Sequence, residues 1–296
     1  MTPRGQPLAL DVSPAVDTAV LLHAAQDAAA AAGSRVRREL RERRTDPYHR
    51  VGHRALEHDV KLPLDVDCER EILRVVLGRF PRHAVLSEEA GFQPGSEPLL
   101  WVVDPLDGTV NFHHGIPFFC SSVACYGIRT PAGDAASHLL PDGRALGAPL
   151  VGAVYDPLRE EMFVGAAGRG ASVNGAQLRT PRAGRLDEVV VAVSMGAREE
   201  SISLVSRTLP SLVRAARKVR SFGSTALDLV QVAAGRVGAF VQAGTNLWDI
   251  AAAVLIVQSA GARAEVREYA PGRFRVIAAA TDIFDEVRGI VEGATE

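Results

Sequence analysis

Two carboxylates three residues apart close an apolar run in the segment Trp101-Val102-Val103-Asp104-Pro105-Leu106-Asp107-Gly108-Thr109. Pro105 fixes the backbone between the acids, and Gly108 permits a sharp turn. Thr109 adds a hydroxyl where a short helix would begin. Such a corner offers carboxylate oxygens, the Leu106 carbonyl and free backbone N–H groups together. Hard divalent cations take the oxygens, and a phosphate takes the N–H groups. Asp-Pro and Asp-Gly are also ordinary turn dipeptides. A surface turn accounts for one acid, but not for two acids ending a stretch as apolar as Leu99 to Val103.

Three other acidic segments stand beside it. Glu88-Glu89 follows the short apolar run Ala84-Val85-Leu86, although paired glutamates alone read as solvated surface. In Asn246-Leu247-Trp248-Asp249-Ile250-Ala251-Ala252 one acid falls in the first turn of an apolar helix, where the helix dipole alone would explain it. Asp65-Val66-Asp67 precedes the helix that contains Glu71, and an N-terminal capping role would again suffice. Each acid has a bland explanation taken singly. Four carboxylates in one cavity would repel strongly without cations.

In order along the chain, Asp67, Glu88-Glu89, Asp104-Pro105-Leu106-Asp107-Gly108-Thr109 and Trp248-Asp249 resemble the signature of the inositol monophosphatase family. That family belongs to a wider group of magnesium-dependent, lithium-sensitive phosphatases. Asn111 to Phe118, Gly168 to Gly175 with its Asn174-Gly175 turn, and Ser221 to Ala226 also look like family segments. The resemblance runs from about Val16 to Val291. It implies hydrolysis of a small phosphate monoester, inositol monophosphate first among polyol and sugar phosphates, with two to three Mg2+ ions. By the resemblance, Glu88, Asp104 and the Leu106 carbonyl hold a first ion, Asp104, Asp107 and Asp249 a second, and Glu88 helps a third. Thr109, backed by Asp67, orients the attacking water, with Glu88 beside them as a catalytic group. Asp107, Gly108 and Thr109 meet the phosphate, and Gly223, Ser224, Thr225 and Gln242 line the substrate side. The fold implied is the layered α-β-α-β-α sandwich shared with fructose-1,6-bisphosphatase. An α+β lobe would span residues 1–175 and an α/β lobe 176–296, assembled as a homodimer.

The departures from the family pattern bear on substrate. Ala251-Ala252-Ala253 stands for the usual Ala-Ala-Gly, and Gly261-Ala262 for Gly-Gly, both read as packing adjustments. Gln242 stands where inositol and histidinol phosphatases commonly carry glutamate. An amide cannot neutralise an ammonium, and it does not repel a second anionic group. Fructose bisphosphate and 3'(2'),5'-bisphosphate nucleotides therefore remain as alternatives. A non-catalytic, phosphatase-like binding or regulatory protein is a reading of another class. It would follow from a lost metal ligand, and none of Glu88, Asp104, Asp107, Asp249, Thr109 or Asp67 is lost.

The elements that must position these groups follow from periodicity and turn chemistry. Ser13-Pro14 predicts a helix start, and apolar residues at helical spacing carry it to Arg43. Thr45 to His58 reads as a polar loop, followed by a helix from Asp67 to Arg79. Asp59-Val60-Lys61 matches the family's mobile loop near the metals. Strands are expected at Ala84 to Leu86, Leu99 to Val103, Phe118 to Ile128, Leu150 to Tyr155, Glu161 to Gly165 and Val189 to Ser194. Arg129 to Pro149 is a loop by composition. Helices are expected at Glu199 to Arg217, Ser224 to Ala234, Leu247 to Ala260 and Asp282 to Val291. The alternation of strand and helix in the second half is an α/β pattern.

The bulk numbers exclude several other classes. A net charge of −2 over 296 residues gives no basic field for nucleic acid. The arginines from Arg35 to Arg44 are broken by Glu39 and Glu42 and read as a solvated helix face. Cys68, Cys120 and Cys125 have no metal-site spacing and read as buried thiols of a reducing compartment. Met1 to Ser13 shows no apolar leader, and Ile250 to Val257 is too short to span a bilayer. The expectation is a cytoplasmic protein without a membrane or nucleic-acid partner.

Overall fold

Five alanines of the first helix, Ala24, Ala25, Ala28, Ala29 and Ala32, are fully buried, so its backbone comes close to the strands beneath it. In the computed structural model, residues 17–45, 54–56, 59–129, 140–196 and 198–293 are described. In chain order the elements are α1 Thr18–Thr45, β1 Arg54–Leu56, β2 Asp59–Lys61, α2 Pro63–Arg79, β3 Ala84–Ser87, β4 Gly91–Gln93, β5 Leu99–Asp107 and α3 Thr109–His114. Then come β6 Cys120–Arg129, β7 Ala145–Asp156, β8 Glu161–Ala166, β9 Gly170–Val173, β10 Ala176–Leu178 and β11 Val190–Val193. The last part holds α4 Glu199–Ala215, β12 Lys218–Arg220, α5 Thr225–Ala233, β13 Ala239–Thr245, α6 Leu247–Ser259, β14 Arg263–Ala270, β15 Arg273–Ala279 and α7 Phe284–Gly293.

The strands form an eight-stranded sheet, β10-β9-β8-β7-β6-β5-β3-β4, and a five-stranded sheet, β12-β11-β13-β15-β14, with β1-β2 as a separate hairpin. Helices α1 and α2 cover one face of the larger sheet. Helices α5 and α6 lie between the two sheets and touch both. Helices α4 and α7 cover the outer face of the smaller sheet. The result is the layered α-β-α-β-α sandwich. Each sheet is buried on two faces, which is why β5 and β6 are continuous apolar runs rather than alternating ones.

The middle layer is held at backbone distance. A Cβ at Gly152 of β7 would lie 2.7 Å from the Ala252 carbonyl oxygen of α6, and one at Gly165 of β8 would lie 3.0 Å from the Ile256 Cα. The small residues Ala251, Ala252 and Ala253 on α6 complete this close approach, and all three are buried.

Several boundaries differ from the sequence expectation. Helix α1 begins at Thr18, where the Asp17 carboxylate accepts the Ala19 N–H at 2.9 Å; Ser13 and Pro14 lie outside the described residues. Helix α2 begins four residues earlier than expected, because Pro63 is pre-set for a first helical turn and Asp65 accepts the Leu62 N–H. Part of the expected loop 45–58 is strand β1, and Asp59–Lys61 is its partner β2; residues 46–53, 57 and 58 lie outside the described residues. The expected loop 129–149 narrows as well, since Arg129 ends β6 and β7 already begins at Ala145. Residues 130–139 are not described.

The larger sheet runs on to Leu178, beyond the lobe boundary expected at residue 175. Strands β13, β14 and β15 were not expected. Their signal was present in Pro271-Gly272, a turn pair between two alternating runs, with Gly272 at φ +68°. No helix among the described residues is long and apolar enough to cross a membrane. The three cysteines are free and buried.

The contact between β7 and α6 makes a testable claim. Gly152→Ala forces a methyl against the Ala252 backbone, and overpacking of this kind costs about 1–3 kcal/mol. Thermal melting should show a loss of several degrees. Gly127→Ala on β6, where the nearest atom to the new Cβ is 3.8 Å away, should melt within about a degree of the parent. Equal melting of the two variants would mean that α6 does not seat on Gly152.

Candidate functional site

Strands β3 and β5 are parallel neighbours, paired from Ala84↔Leu100 to Ser87↔Val103. Their carboxyl ends therefore carry Glu88 and Asp104 to one edge of the sheet. Beyond Asp104 the strand cannot stay regular, because Pro105 has no N–H for the ladder. The register with β6 shifts between Asp104 and Asp107, and Ser121 Oγ donates to the Pro105 carbonyl at 2.8 Å. The irregularity turns Asp107 toward the middle layer.

Gly108 follows at φ +95°, and a Cβ there would meet the Phe118 carbonyl at 3.0 Å. Only glycine fits both conditions. Thr109 Oγ1 donates to the Leu106 carbonyl at 2.9 Å and closes the corner.

The second half of the chain meets this corner directly. Asp107 Oδ2 accepts hydrogen bonds from Ser224 Oγ at 2.7 Å and the Ala226 N–H at 2.6 Å, at the start of α5. Asp249, at the start of α6, accepts from Thr245 Oγ1 at 2.7 Å and the Asn246 N–H at 2.8 Å, also through Oδ2. Asp104 Oδ1 accepts the Leu106 N–H at 3.1 Å. Asn111 Nδ2 donates to both the Phe118 and Phe222 carbonyls, at 2.8 and 2.7 Å, and so ties α3 to the loop before α5. Gly223, at φ +89°, lies against that amide.

Burial raises the pKa of all four acids, and for most of them the other acids raise it further. Glu88 and Asp104 stand well above the carboxylate range, from desolvation first and then from mutual repulsion with Asp249, Glu89 and Asp107 among others. The two face each other closely enough that each raises or holds the other's proton, an arrangement that a shared proton or a shared cation relieves. Asp107 rises to about 7 from burial and the field of Asp249, despite its hydrogen bonds from Ser224 and Ala226. Asp249 rises from burial, opposed by its hydrogen bonds and by the charge of Arg198. Among the described residues none of the four is in a salt bridge.

No three His, Cys, Asp or Glu side chains among the described residues form a finished ligand shell. Two of these acids are held through Oδ2 by protein donors instead. The donor set is nonetheless all oxygen, buried and short of positive charge. That chemistry fits a hard divalent cation and not a soft one.

The helix before the site corrects one assignment. Asp67 faces outward and pairs with Arg35 and Arg70, each at 3.1 Å; it makes no hydrogen bond with Thr109. Asp65 is the buried acid of that turn, and its charge reaches Glu88. Asp65 and Glu69, four residues apart, share the inward face; Glu69 Oε2 accepts the Glu89 N–H at 3.1 Å. The signal was the apolar stripe Leu64, Cys68, Ile72 and Val76, which with a helix starting at Pro63 turns Asp65 in and Asp67 out.

Lys61 Nζ bonds Glu89 at 2.9 Å, and although burial lowers its pKa, Glu89, Glu88 and Asp65 raise it further. Gln242 is buried on β13, and its Oε1 accepts Thr225 Oγ1 at 2.9 Å. Asp228, not singled out in the sequence, is fully buried on α5 with neither carboxylate oxygen hydrogen-bonded among the described residues. Burial and the charge of Asp107 hold its pKa well up. Two arginines of α1 are paired: Arg35 with Glu39, and Arg37 with Glu160 at 2.6 Å.

Comparison with known proteins agrees with this geometry. The family model described as the inositol monophosphatase family matches residues 17–132 and 145–290. The Nus factor SuhB of Pseudomonas aeruginosa is 37% identical over 210 residues, covering 69% of this chain and 70% of that protein. An inositol-1-monophosphatase of Synechocystis is 34% identical over 208 residues, covering 69% of this chain and 65% of that protein. The solved inositol monophosphatase from Anabaena superimposes with a TM-score of 0.74 at 28% identity, covering 93% of this chain and 96% of that one.

The raised acids set a sign for stability. In the folded, chelated protein Asp107 titrates at about 7, against about 3.9 for an unfolded aspartate. Its contribution to stability is complete below the unfolded value and is lost as the pH rises through the folded one. Glu88, Asp104 and Asp249 act in the same direction. Melting temperature with chelator present should therefore fall between pH 5 and pH 8. Asp107→Asn keeps an acceptor for Ser224 and Ala226 and should make that fall shallower. A variant that loses stability as steeply as the parent would remove Asp107 from the repelling set.

Proposed function

The chain belongs to the inositol monophosphatase family, and on that premise we propose that it hydrolyses a small phosphate monoester with magnesium, inositol monophosphate or a related polyol or sugar phosphate. The observation that carries this reading is the group of Glu88, Asp104, Asp107 and Asp249, Asp104 buried and the others partly buried where the strand ends meet the start of α6, without a salt-bridged cation among the described residues. Acids so placed are costly unless a cation joins them.

Glu88, Asp104, Asp107, Asp249 and the Leu106 carbonyl would hold Mg2+. When bound, the ions supply Lewis acidity toward the phosphoryl oxygens and ease deprotonation of water. The remaining work falls to the chain itself. The Thr109 hydroxyl spends its proton on the Leu106 carbonyl, so its oxygen is left as an acceptor that orients a water O–H. Asp65, from the buried face of α2, takes the supporting place that the sequence assigned to Asp67. Glu88, whose charge would be restored by the cations, would accept the proton that water loses.

The N–H groups of Gly108 and Thr109 receive the phosphate oxygens. Water attacks phosphorus in line, the phosphorus–ester oxygen bond breaks, and the leaving alkoxide takes a proton to become the alcohol. Gly223, Ser224 and Thr225 face the leaving group from the loop and first turn of α5, and Gln242 fixes the Thr225 hydroxyl behind them. As an amide, Gln242 adds no charge to that wall.

A protein that binds partners without turnover is the second reading, and the Nus factor name of its SuhB relative stands behind it. The complete set of acids favours catalysis.

Phosphate release from inositol 1-phosphate and from sugar phosphates should vanish on chelation and return with magnesium. Thr109→Ala should lower kcat about 100-fold or more while leaving the melting temperature within a few degrees. Full activity after exhaustive chelation would end the metal-assisted reading.

A further inference from the structure

Helix α4 packs against β13 on the face of the smaller sheet that is turned away from the acids. Beneath it lies a cavity of about 400 Å³. Side chains alternate along β13, so Gln242 points to the middle layer, where it meets Thr225, and Ala243 points out into this cavity. Ala243 is paired with Arg275 of β15, and Arg275 with Arg267 of β14. Both arginines therefore stand in one cross-strand row on the cavity floor. Helix α4 contributes Glu200, Ser203, Leu204 and Arg207, whose spacing is that of one helix face. Tyr269, near the end of β14, lines the cavity as well.

Arg275 is the unexplained group. Its side chain is 12% exposed, and its Nη2 is buried with no hydrogen-bond partner among the described residues. The acid it faces is Glu265, whose Oε1 is 3.9 Å away and is likewise buried without a hydrogen bond among them. The same carboxylate faces Arg267 at 3.5 Å and Arg288 at 4.0 Å. One acid thus stands among three guanidiniums at distances longer than a hydrogen bond, and donors are left over that a buried group ordinarily spends. Arg207 is exposed and has no acid partner among the described residues, and Glu200 is exposed too. Guanidinium forks fit the oxygens of a carboxylate or a phosphate, while Leu204, Ala243 and the Tyr269 ring offer contact to an apolar body.

The cavity and the acids lie on opposite faces of β13, so a substrate at the acids does not enter it. One strand nevertheless joins them. The Tyr269 hydroxyl lies beside the Gly244 N–H. Gly244, at φ +78°, sits where β13 slips against β15 between Ala243 and Thr245. Arg198 lies along it, with its Cβ 3.5 Å from where a Gly244 Cβ would be. Arg273 bonds the side chain of Asn246, the residue whose N–H and amide hold Asp249. We propose that the cavity is an effector site for a small organic oxyanion, a carboxylate or phosphate head on a compact apolar body, and that its occupancy alters turnover through Tyr269 and the Gly244 bulge. The effect on turnover rests on the phosphatase reading; the binding does not.

Calorimetry on the full chain with chelator present isolates the cavity, because acids without cations repel anions from the active site. Benzoate and phenylphosphonate are the probes, since neither carries an ester bond to phosphate. Both should bind saturably, and about tenfold or more weaker to Arg275→Gln and to Arg207→Glu. Arg207 is exposed, so the second variant decides the matter if the first does not fold. No saturable binding to the parent, or an undiminished affinity in Arg207→Glu, overturns the site. With magnesium and saturating inositol 1-phosphate, benzoate should shift kcat of the parent and leave that of Arg207→Glu unmoved. Tyr269→Phe should bind benzoate as the parent does and lose the kcat shift. A kcat that benzoate does not move, or moves equally in all three proteins, overturns the coupling. Should the parent release no phosphate, the phosphatase reading fails by itself, and the affinities with chelator still decide the cavity.

Discussion

Repulsion among buried carboxylates is the constraint around which this protein is arranged. Glu88, Asp104, Asp107 and Asp249 come from two parallel strand ends, an irregular strand tip and a helix start, and each would leave the others if the scaffold allowed it. They are kept near one another by donors aimed from behind. Ser224 and the α5 N-terminus hold Asp107, and Thr245 and Asn246 hold Asp249. A carboxylate gripped through one oxygen keeps its direction while leaving its charge uncancelled. This arrangement separates a site built to take cations from a salt-bridged core.

The grip also explains why the two sheets need each other. Asp107 belongs to the larger sheet, and its donors belong to the layer that the smaller sheet covers. Asn111 repeats the connection with two carbonyls, one on each side of the seam. Phe118 stacks on Phe222 at 5.0 Å beside it. Neither half carries a complete set of acids or a complete set of their donors.

Much of this was legible in the sequence because strand and helix ends are marked by chemistry. Asp104, Asp107 and Gly108 could be placed at a strand tip from an apolar run meeting proline and glycine. Asp249 could be placed at a helix start from its own neighbours. Asp65 was missed in favour of Asp67 because the two acids are equivalent in composition and differ only in helix phase, which the apolar stripe of α2 sets. Arg198 and Arg273 were illegible for another reason. They lie 75 residues apart in number, and each reaches the segment around Gly244 and Asn246 from its own element. No local pattern carries that information. Gln242 was legible as an oddity, while its bond to Thr225 required the register of β13 against α5.

The close seating of α6 on β7 and β8 has a bearing on how such a protein diversifies. Where Gly152 meets the Ala252 backbone, there is no room for a larger side chain on either surface. The central layer is thus a fixed spacer, and drift along it is confined to residues without bulk. Variation has to accumulate at the periphery, in the α4 start and the β14–β15 hairpin, whose ends reach the site without bearing on the spacer. A lineage can then exchange one set of peripheral charges for another and acquire new substrates while inheriting the same interior unchanged.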